Sequence, residues 1–328
     1  MSADVGRKIV QPTPDTIREA AEIIRGGGLV AFPTETVYGL GANALSPEAV
    51  RKIFLAKERP GDNPLILHVG SISDAAKYAE INHTAETLML NFWPGPLTIV
   101  LASHPSVPCE TRAGLDTVGI RLPLNTVAME LIRAAGVPIA APSANRSGRP
   151  SPTTAQAVLD DLGDRVDLII DGGEANIGLE STVVDATADA VAILRPGGVT
   201  REMLASFVDV MEDGHDELRF RSPGTRHRHY APSVPVWLWE RGGGDEALRK
   251  AVLGRKWSYV GMSDFPCDTS EPLEKILFES VREYGHGLFA ALRALEKGGA
   301  DSIVAQLPPD TGLGRAVCDR LKRAAGVA

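Results

Sequence analysis

Lys57 and Arg59 are the first residues of this chain whose type and position point to chemistry. Lys57 lies seven residues after Val50, on the apolar face of a helix that Ser46-Pro47-Glu48 starts, where a lysine is costly unless it lines a pocket. Pro60 ends that helix, so two cations crowd its C-terminus beside the loop Gly61-Asp62-Asn63-Pro64. The helix dipole alone would also favour cations there. A second cue is the segment 117–121, TVGIR, where strand alternation puts Thr117, Gly119 and Arg121 on one face and Val118 and Ile120 on the other. A hydroxyl and a guanidinium then flank a glycine that leaves room between them, and arginine can grip a carboxylate or phosphate with two parallel hydrogen bonds. A solvent-facing polar strand would look the same.

Three loops add donors. Pro142-Ser143-Ala144-Asn145-Arg146-Ser147-Gly148 follows the strand expected at 138–141, at the end where ligands of open α/β sheets sit. It lacks a GxSxG elbow, so Ser143 fits a phosphate donor better than a nucleophile. Gly178–Thr182 (GLEST) and Leu194–Gly198 (LRPGG) carry similar polar or basic positions. The segment 219–230 gathers Arg219, Arg221, Arg226 and Arg228 with Tyr230, a local basic run suited to fold over an anion. His227 and His229 alternate there without a third ligand, which points to solvated side chains and no metal site. Gly39-Leu40-Gly41-Ala42-Asn43-Ala44 matches the GxGxxA dinucleotide fingerprint but does not open directly into a helix, so it is expected to be a scaffold turn. No GxxxxGK[ST] P-loop occurs.

These residues need an α/β frame. Thr13-Pro14-Asp15 starts a helix with Ile17, Ala20, Ala21 and Ile24 at helical spacing, stopped by Gly26 to Gly28. Strands are expected at 29–32, 65–69, 97–102, 117–121, 138–141, 166–171, 181–185 and 191–195, with helices between several of them, notably 126–135 and 153–162. The close spacing of the last strands predicts a mixed, only partly parallel sheet. An unpatterned stretch from 211 to 234 reads as a linker. Beyond it, strands at 235–240, 257–262 and 301–306 and helices near 271–297 and at 314–325 make a second, smaller Rossmann-like α/β domain over 235–328. The first domain spans 1–210. The total of 328 residues is about twice a ~150-residue domain prior.

The net charge of −8 argues against a surface built to hold nucleic acid, which needs clustered Lys and Arg. Cys109, Cys267 and Cys318 have no metal or disulfide spacing. The first residues lack a signal peptide's apolar run, and no stretch reaches 18 apolar residues, so a cytoplasmic protein without a membrane span is expected.

Taken together, PTETVYGLGANA (33–44), Lys57 and Arg59 in KER, DNPL (62–65), WPGPLT (93–98), SAN (143–145), GLESTVVD (178–185) and LRPGG (194–198) resemble the YrdC-like family over about residues 10–205. SPGTRHRHYAP (222–232) and GLGRAVCDRLKRAA (312–325) resemble its long, two-domain form. The resemblance implies that L-threonine, bicarbonate or carbon dioxide, and ATP become L-threonylcarbamoyladenylate and pyrophosphate, the adenylate then serving a tRNA-modifying transferase complex. By the same resemblance Thr36, His68, Arg121, Ala141 and Ser181 would surround threonine. Arg59, Asn63, Thr117, Ser143, Ser151, Arg195 and Tyr230 would hold ATP, with Tyr230 in the linker acting as a lid. Lys57 with Arg59 and Ser143 with Asn145 would flank the reacting groups. Mg2+ would accompany ATP, although no carboxylate cage for a metal is legible. Two positions depart from the family pattern: Glu58 where a small residue is usual, and Asn125 where His is frequent. Glu58 is expected to point away from phosphate or to pair with a cation. Two alternatives stand beside this reading, carbamoyl transfer of the hydrogenase-maturation type and a tRNA- or duplex-RNA-binding module.

Overall fold

The computed structural model describes residues 8–212, 216–222, 229–242, 249, 252–264 and 271–327, with backbone only at 216, 217 and 219. Arg226, Arg228, His227 and Cys267 lie outside the described residues, as does the side chain of Arg219.

Ten strands form the first sheet: β1 Ile9–Val10, β2 Val30–Phe32, β3 Gly39–Asn43, β4 Ile66–His68, β5 Leu97–Ala102, β6 Thr117–Arg121, β7 Ile139–Ala140, β8 Leu168–Ile170, β9 Thr182–Asp185 and β10 Ala192–Arg195. Their order is β1-β8-β2-β3-β7-β4-β6-β5-β9-β10. The β1–β8, β2–β8, β4–β6 and β5–β9 pairs are parallel and the others antiparallel, the mixed sheet that closely spaced strands predict. Helices α1 Pro14–Arg25, α2 Pro47–Lys57, α3 Ile72–Ala75, α4 His83–Phe92, α5 Thr126–Ala135, α6 Ala155–Leu162 and α7 Arg201–Ala205 belong to this domain.

The helix starts follow from their caps. The Thr13 hydroxyl accepts from the Thr16 amide while Thr16 accepts from the Thr13 amide, Pro14 sits at the first turn, and Ile17, Ala20, Ala21 and Ile24 are buried. Asn125, the departure noted above, is the N-cap of α5, and its side chain accepts from the Ala128 amide. α2 buries Ala49, Val50, Ile53, Ala56 and Lys57 and stops at Glu58, which takes a left-handed conformation with φ 52°.

One expectation is corrected here. Gly39–Asn43 is no turn: it is strand β3, antiparallel to β2 and β7. Its glycines serve packing, since a Cβ on Gly41 would come 2.7 Å from Phe32 and 2.8 Å from Ile139.

The second sheet is wholly parallel, in the order β11-β14-β12-β13, from β11 Val236–Trp239, β12 Trp257–Gly261, β13 Lys275–Leu277 and β14 Ser302–Gln306. Helices α8 Val281–Lys297 and α9 Gly314–Ala325 cover it. The helix expected over 271–297 is therefore shorter, because Lys275–Leu277 pairs with β12 first. A 3-10 turn, Asp216–Arg221, interrupts the segment between the sheets.

The two halves share a core. Val37 and Leu179 of the first domain and Tyr230 of the linker pack in one apolar cluster with Tyr284, Leu288 and Phe289 of α8. Gly178, at φ 75°, makes the approach possible, because a Cβ there would lie 2.1 Å from the His286 carbonyl oxygen. Around this cluster Arg293 donates to both oxygens of Asp161 and Arg149 to both oxygens of Glu296.

Candidate active site

The site is a buried cavity where strand ends and loops of the first domain meet the linker. The β2–β3 connection supplies Thr34, Thr36 and Val37, β4 supplies His68, β6 Arg121, and the end of β7 Ala141, Pro142 and Ser143. Glu180 and Ser181 precede β9, Arg195 ends β10, and His229 with Tyr230 closes the wall.

Sheet register explains one corner of the cavity. In the parallel β4–β6 pair His68 stands opposite Arg121, so both side chains reach the same face, and Ala141 is tied alongside by its amide to the Ile66 carbonyl. Arg121 is buried, donates from Nε to the Gly95 carbonyl at 3.3 Å, and holds Nη2 2.7 Å from Glu35 Oε1. That contact is an ion pair without an aligned hydrogen bond, and both Glu35 oxygens lack a hydrogen-bond partner among the described residues. Burial, with the nearby Arg121 charge, pushes His68 down to about 3, so the imidazole is neutral at pH 7. Its Nδ1 has no partner among the described residues. Thr34 and Thr36 share a hydroxyl contact at 2.8 Å above this corner. A small amino acid would find a guanidinium, a neutral imidazole and hydroxyls here.

Two more cations line the cavity. Arg59 and Arg195 are buried, and burial lowers both from the usual arginine range, Arg59 to about 10. Arg195 donates to the Ser181 carbonyl at 2.9 Å and to its hydroxyl at 3.2 Å, and Ser181 shares a second hydroxyl contact with Thr98. Arg59 Nη2 donates to the Pro64 carbonyl at 3.3 Å and approaches that of Asn63 at 3.5 Å, so the buried pair Asn63-Pro64 supports it.

Lys57 points inward, as its place on the apolar face predicts, and its Nζ donates to the carbonyls of Ser143 and Asn145, the latter at 2.6 Å. Burial first, and then Arg59, holds the ammonium well below its ordinary value. Lys57 thus pins the SAN loop from behind. The Ser143 hydroxyl donates to Asn145 Oδ1 at 2.5 Å, while Asn145 Nδ2 donates to the carbonyls of Arg146 and Arg149. Ser151 donates to Glu180 Oε1, which brings it within one residue of the cavity.

Of the residues singled out from sequence, Thr36, Arg59, His68, Arg121, Ala141, Ser143, Ser181, Arg195 and Tyr230 line the cavity. Lys57, Asn63, Asn145 and Ser151 stand immediately behind lining residues. Thr117 lies at the other end of β6 from Arg121, outside the lining.

Two expectations about the linker change. His229 is not solvated: it is buried in the cavity wall, 4.4 Å edge-on to Tyr230, and burial with Arg59, Lys57 and Arg195 holds it well below its ordinary value. Arg221 faces elsewhere, paired with Asp185 Oδ2 at 2.7 Å at the far end of β9. Glu58 behaves as expected, pairing with Arg165 at 2.6 Å and Arg146 at 3.0 Å on the surface. Besides His229, expected from sequence to be solvated, Glu35 and Glu180 are charged site residues not singled out from sequence, and Thr34 is a further lining residue not singled out. Glu35, Glu180 and His229 each sit beside one that is, next to Thr36, Ser181 and Tyr230.

Comparison with known proteins places the sequence and the fold. Residues 22–197 match the family described as Telomere recombination, and residues 199–326 match the Threonylcarbamoyl-AMP synthase, C-terminal domain. The Threonylcarbamoyl-AMP synthase of Pyrococcus abyssi is 44% identical over 94% of both chains, and that of Bacillus subtilis 41% identical over 94% of this chain and 93% of its own. The crystal structure of P. abyssi Sua5 complexed with L-threonine superposes with a TM-score of 0.85 at 42% identity, covering 98% of this chain and 97% of that one. The two family matches together take in every wall of the cavity, from Thr34 to Tyr230. By sequence and fold, the chain belongs to the threonylcarbamoyl-AMP synthase family.

Proposed function

We propose that the chain forms L-threonylcarbamoyladenylate from L-threonine, bicarbonate or carbon dioxide, and ATP, releasing pyrophosphate. It is a nucleotidyltransferase whose product feeds the threonylcarbamoyl modification of tRNA adenosine by a downstream transferase complex. The observation that carries the reading is the convergence of buried Arg59, Arg121 and Arg195 on one cavity, where the described carboxylates are two, Glu180 in the lining and Glu35 beside Arg121 at 2.7 Å. Such a surplus of desolvated positive charge suits a carboxylate and a polyphosphate held together.

The chemistry asks for position and charge. Arg121 takes the threonine carboxylate, with Thr36, His68 and Ser181 around the rest of the amino acid. The threonine nitrogen bonds to the one-carbon unit, losing water if bicarbonate is the source, and gives a carbamate. A carbamate oxygen then attacks the α-phosphorus of ATP, and the bond to the bridging oxygen breaks as pyrophosphate leaves with that electron pair. Arg59 and Arg195 stabilise the charge that spreads over the phosphates, and the loop pinned by Lys57 offers Ser143 as a donor. No covalent nucleophile is needed.

Among the described residues no group of three or more His, Cys, Asp or Glu side chains could hold a metal ion. Mg2+ would arrive on the triphosphate as part of the substrate. No helix among the described residues is long and apolar enough to cross a membrane, and we place the activity in the cytoplasm, where ATP and tRNA meet. The −8 charge fits a protein that hands on a small adenylate and does not hold tRNA tightly.

The test is pyrophosphate release from ATP with each reactant omitted in turn. Release is expected to require both threonine and bicarbonate, and release indifferent to threonine would refute the reading. Arg121→Ala should raise the threonine KM by roughly a hundredfold or more, the scale of losing a charge-assisted bidentate contact.

A further inference from the structure

Arg320, on α9 of the second domain, has no exposed surface. A buried guanidinium is costly unless charge and hydrogen bonds compensate it, and each of its partners is informative. Its Nε donates to Glu180 Oε2 at 2.8 Å, across the domain boundary, and Nη1 donates to Asp319 Oδ2 at 2.6 Å. Its Cζ lies 5.2 Å from the centre of the Tyr230 ring, within cation–π range. Glu180 and Tyr230 are both walls of the cavity, and the other oxygen of Glu180 accepts from Ser151.

Tyr230 needs such a partner. Its φ of 64° lies in the left-handed region that a bulky residue avoids unless its surroundings hold it there. The second domain supplies Arg320 and Phe289 of α8, stacked at 5.3 Å, to those surroundings, beside Val37 and Leu179 of the first domain and the adjacent His229.

We propose that Arg320 is a positioning residue of the nucleotide site. From the second domain it fixes Glu180, and through it Ser151, and it holds the Tyr230 ring in the cavity wall. The docked second domain is then a working part of the active site, beyond its part as an anchor for the linker. This inference rests on the cavity being the ATP site proposed above.

The test uses the full-length chain with Arg320→Lys, which keeps the charge but loses the planar fork, in pyrophosphate-release assays with ATP and threonine varied separately. The KM for ATP should rise about tenfold while that for threonine stays within about twofold, a split that general loosening of the fold would not produce. Combined with Tyr230→Ala, Arg320→Lys should add clearly less than it does in the wild-type chain, because the part of its effect that runs through Tyr230 is already lost and only the part through Glu180 and Ser151 remains. An ATP KM within about twofold of wild type, equal losses for both substrates, or effects that multiply would each overturn the proposal. If Arg320→Lys does not fold, Glu180→Gln combined with Arg320→Met removes both buried charges, and the same outcomes decide. A wild-type chain without threonine-dependent pyrophosphate release would sink the function and this inference together, whereas an active wild type with an unaltered variant would sink this inference alone.

Discussion

Lys57 and Arg320 set the same physical problem at two ends of the site and meet it in opposite ways. Both are long cations on the apolar face of a helix, and both are buried. Lys57 meets only backbone carbonyls, those of Ser143 and Asn145, so burial dominates and its ammonium is held well below the ordinary value. Arg320 suffers the same desolvation, but Glu180, Asp319 and the Tyr230 ring outweigh it and hold its guanidinium above the ordinary value. The difference teaches what each cation is for. Lys57 is a fastener within one domain, holding a loop 86 to 88 residues further along, whereas Arg320 joins two segments 140 residues apart to a third across the domain boundary.

The contrast is sharpest in stability. Arg320→Met should destabilise the chain by about 3–5 kcal/mol, because it strands the buried Glu180 carboxylate, and the Glu180→Gln/Arg320→Met pair should recover most of that loss. Urea unfolding of both variants measures it, and equal losses would show that Glu180 is not the group left stranded. Lys57→Met should cost less, about 1–3 kcal/mol, since carbonyls lose a donor but no carboxylate is abandoned. Its pyrophosphate turnover should nonetheless fall by roughly a hundredfold or more as Ser143 loses its support.

His68 is a third buried group, kept neutral instead of paired. Its ordinary value of 6.5 falls to about 3 in the fold, so between those pH values the unfolded chain binds a proton that the native chain refuses. Stability is therefore lost as pH falls through this window, by up to about 1.4 kcal/mol per pH unit from this group. His68→Gln should flatten the urea-midpoint profile between pH 6 and about 4 relative to wild type by that amount, and parallel profiles would contradict it. Smallest of all, Glu58→Ala should leave the thermal midpoint unchanged, because its pairs with Arg146 and Arg165 are exposed to solvent.

Much of the frame is legible in the residues. β5, β6, α5 and α9 begin and end where alternation, helical spacing and caps predict. β3 escapes because its glycines show no side-chain alternation, and β13 because three residues at a sheet edge carry too little pattern. In the site, Lys57 and Arg121 announce themselves by being polar where periodicity demands an inward face. Arg320 carries the same signal, a cation flanked on α9 by buried Ala316, Val317, Leu321 and Ala324. Glu35, Glu180 and His229 give no such sign. Glu35 and Glu180 are held by ion pairs across long separations, which no local pattern encodes, and His229 is buried beside its own neighbour Tyr230.

The apolar cluster that draws Val37, Leu179 and Tyr230 into the packing around α8 also bears on how the molecule comes apart. Two domains joined by a linker alone would melt one after the other. Here neither can lose its packing without opening the other's, so heat or denaturant should produce a single cooperative transition. Separating the chain between the two sheets would expose Leu179 on one fragment and Leu288 and Phe289 on the other, and both pieces would be prone to stick.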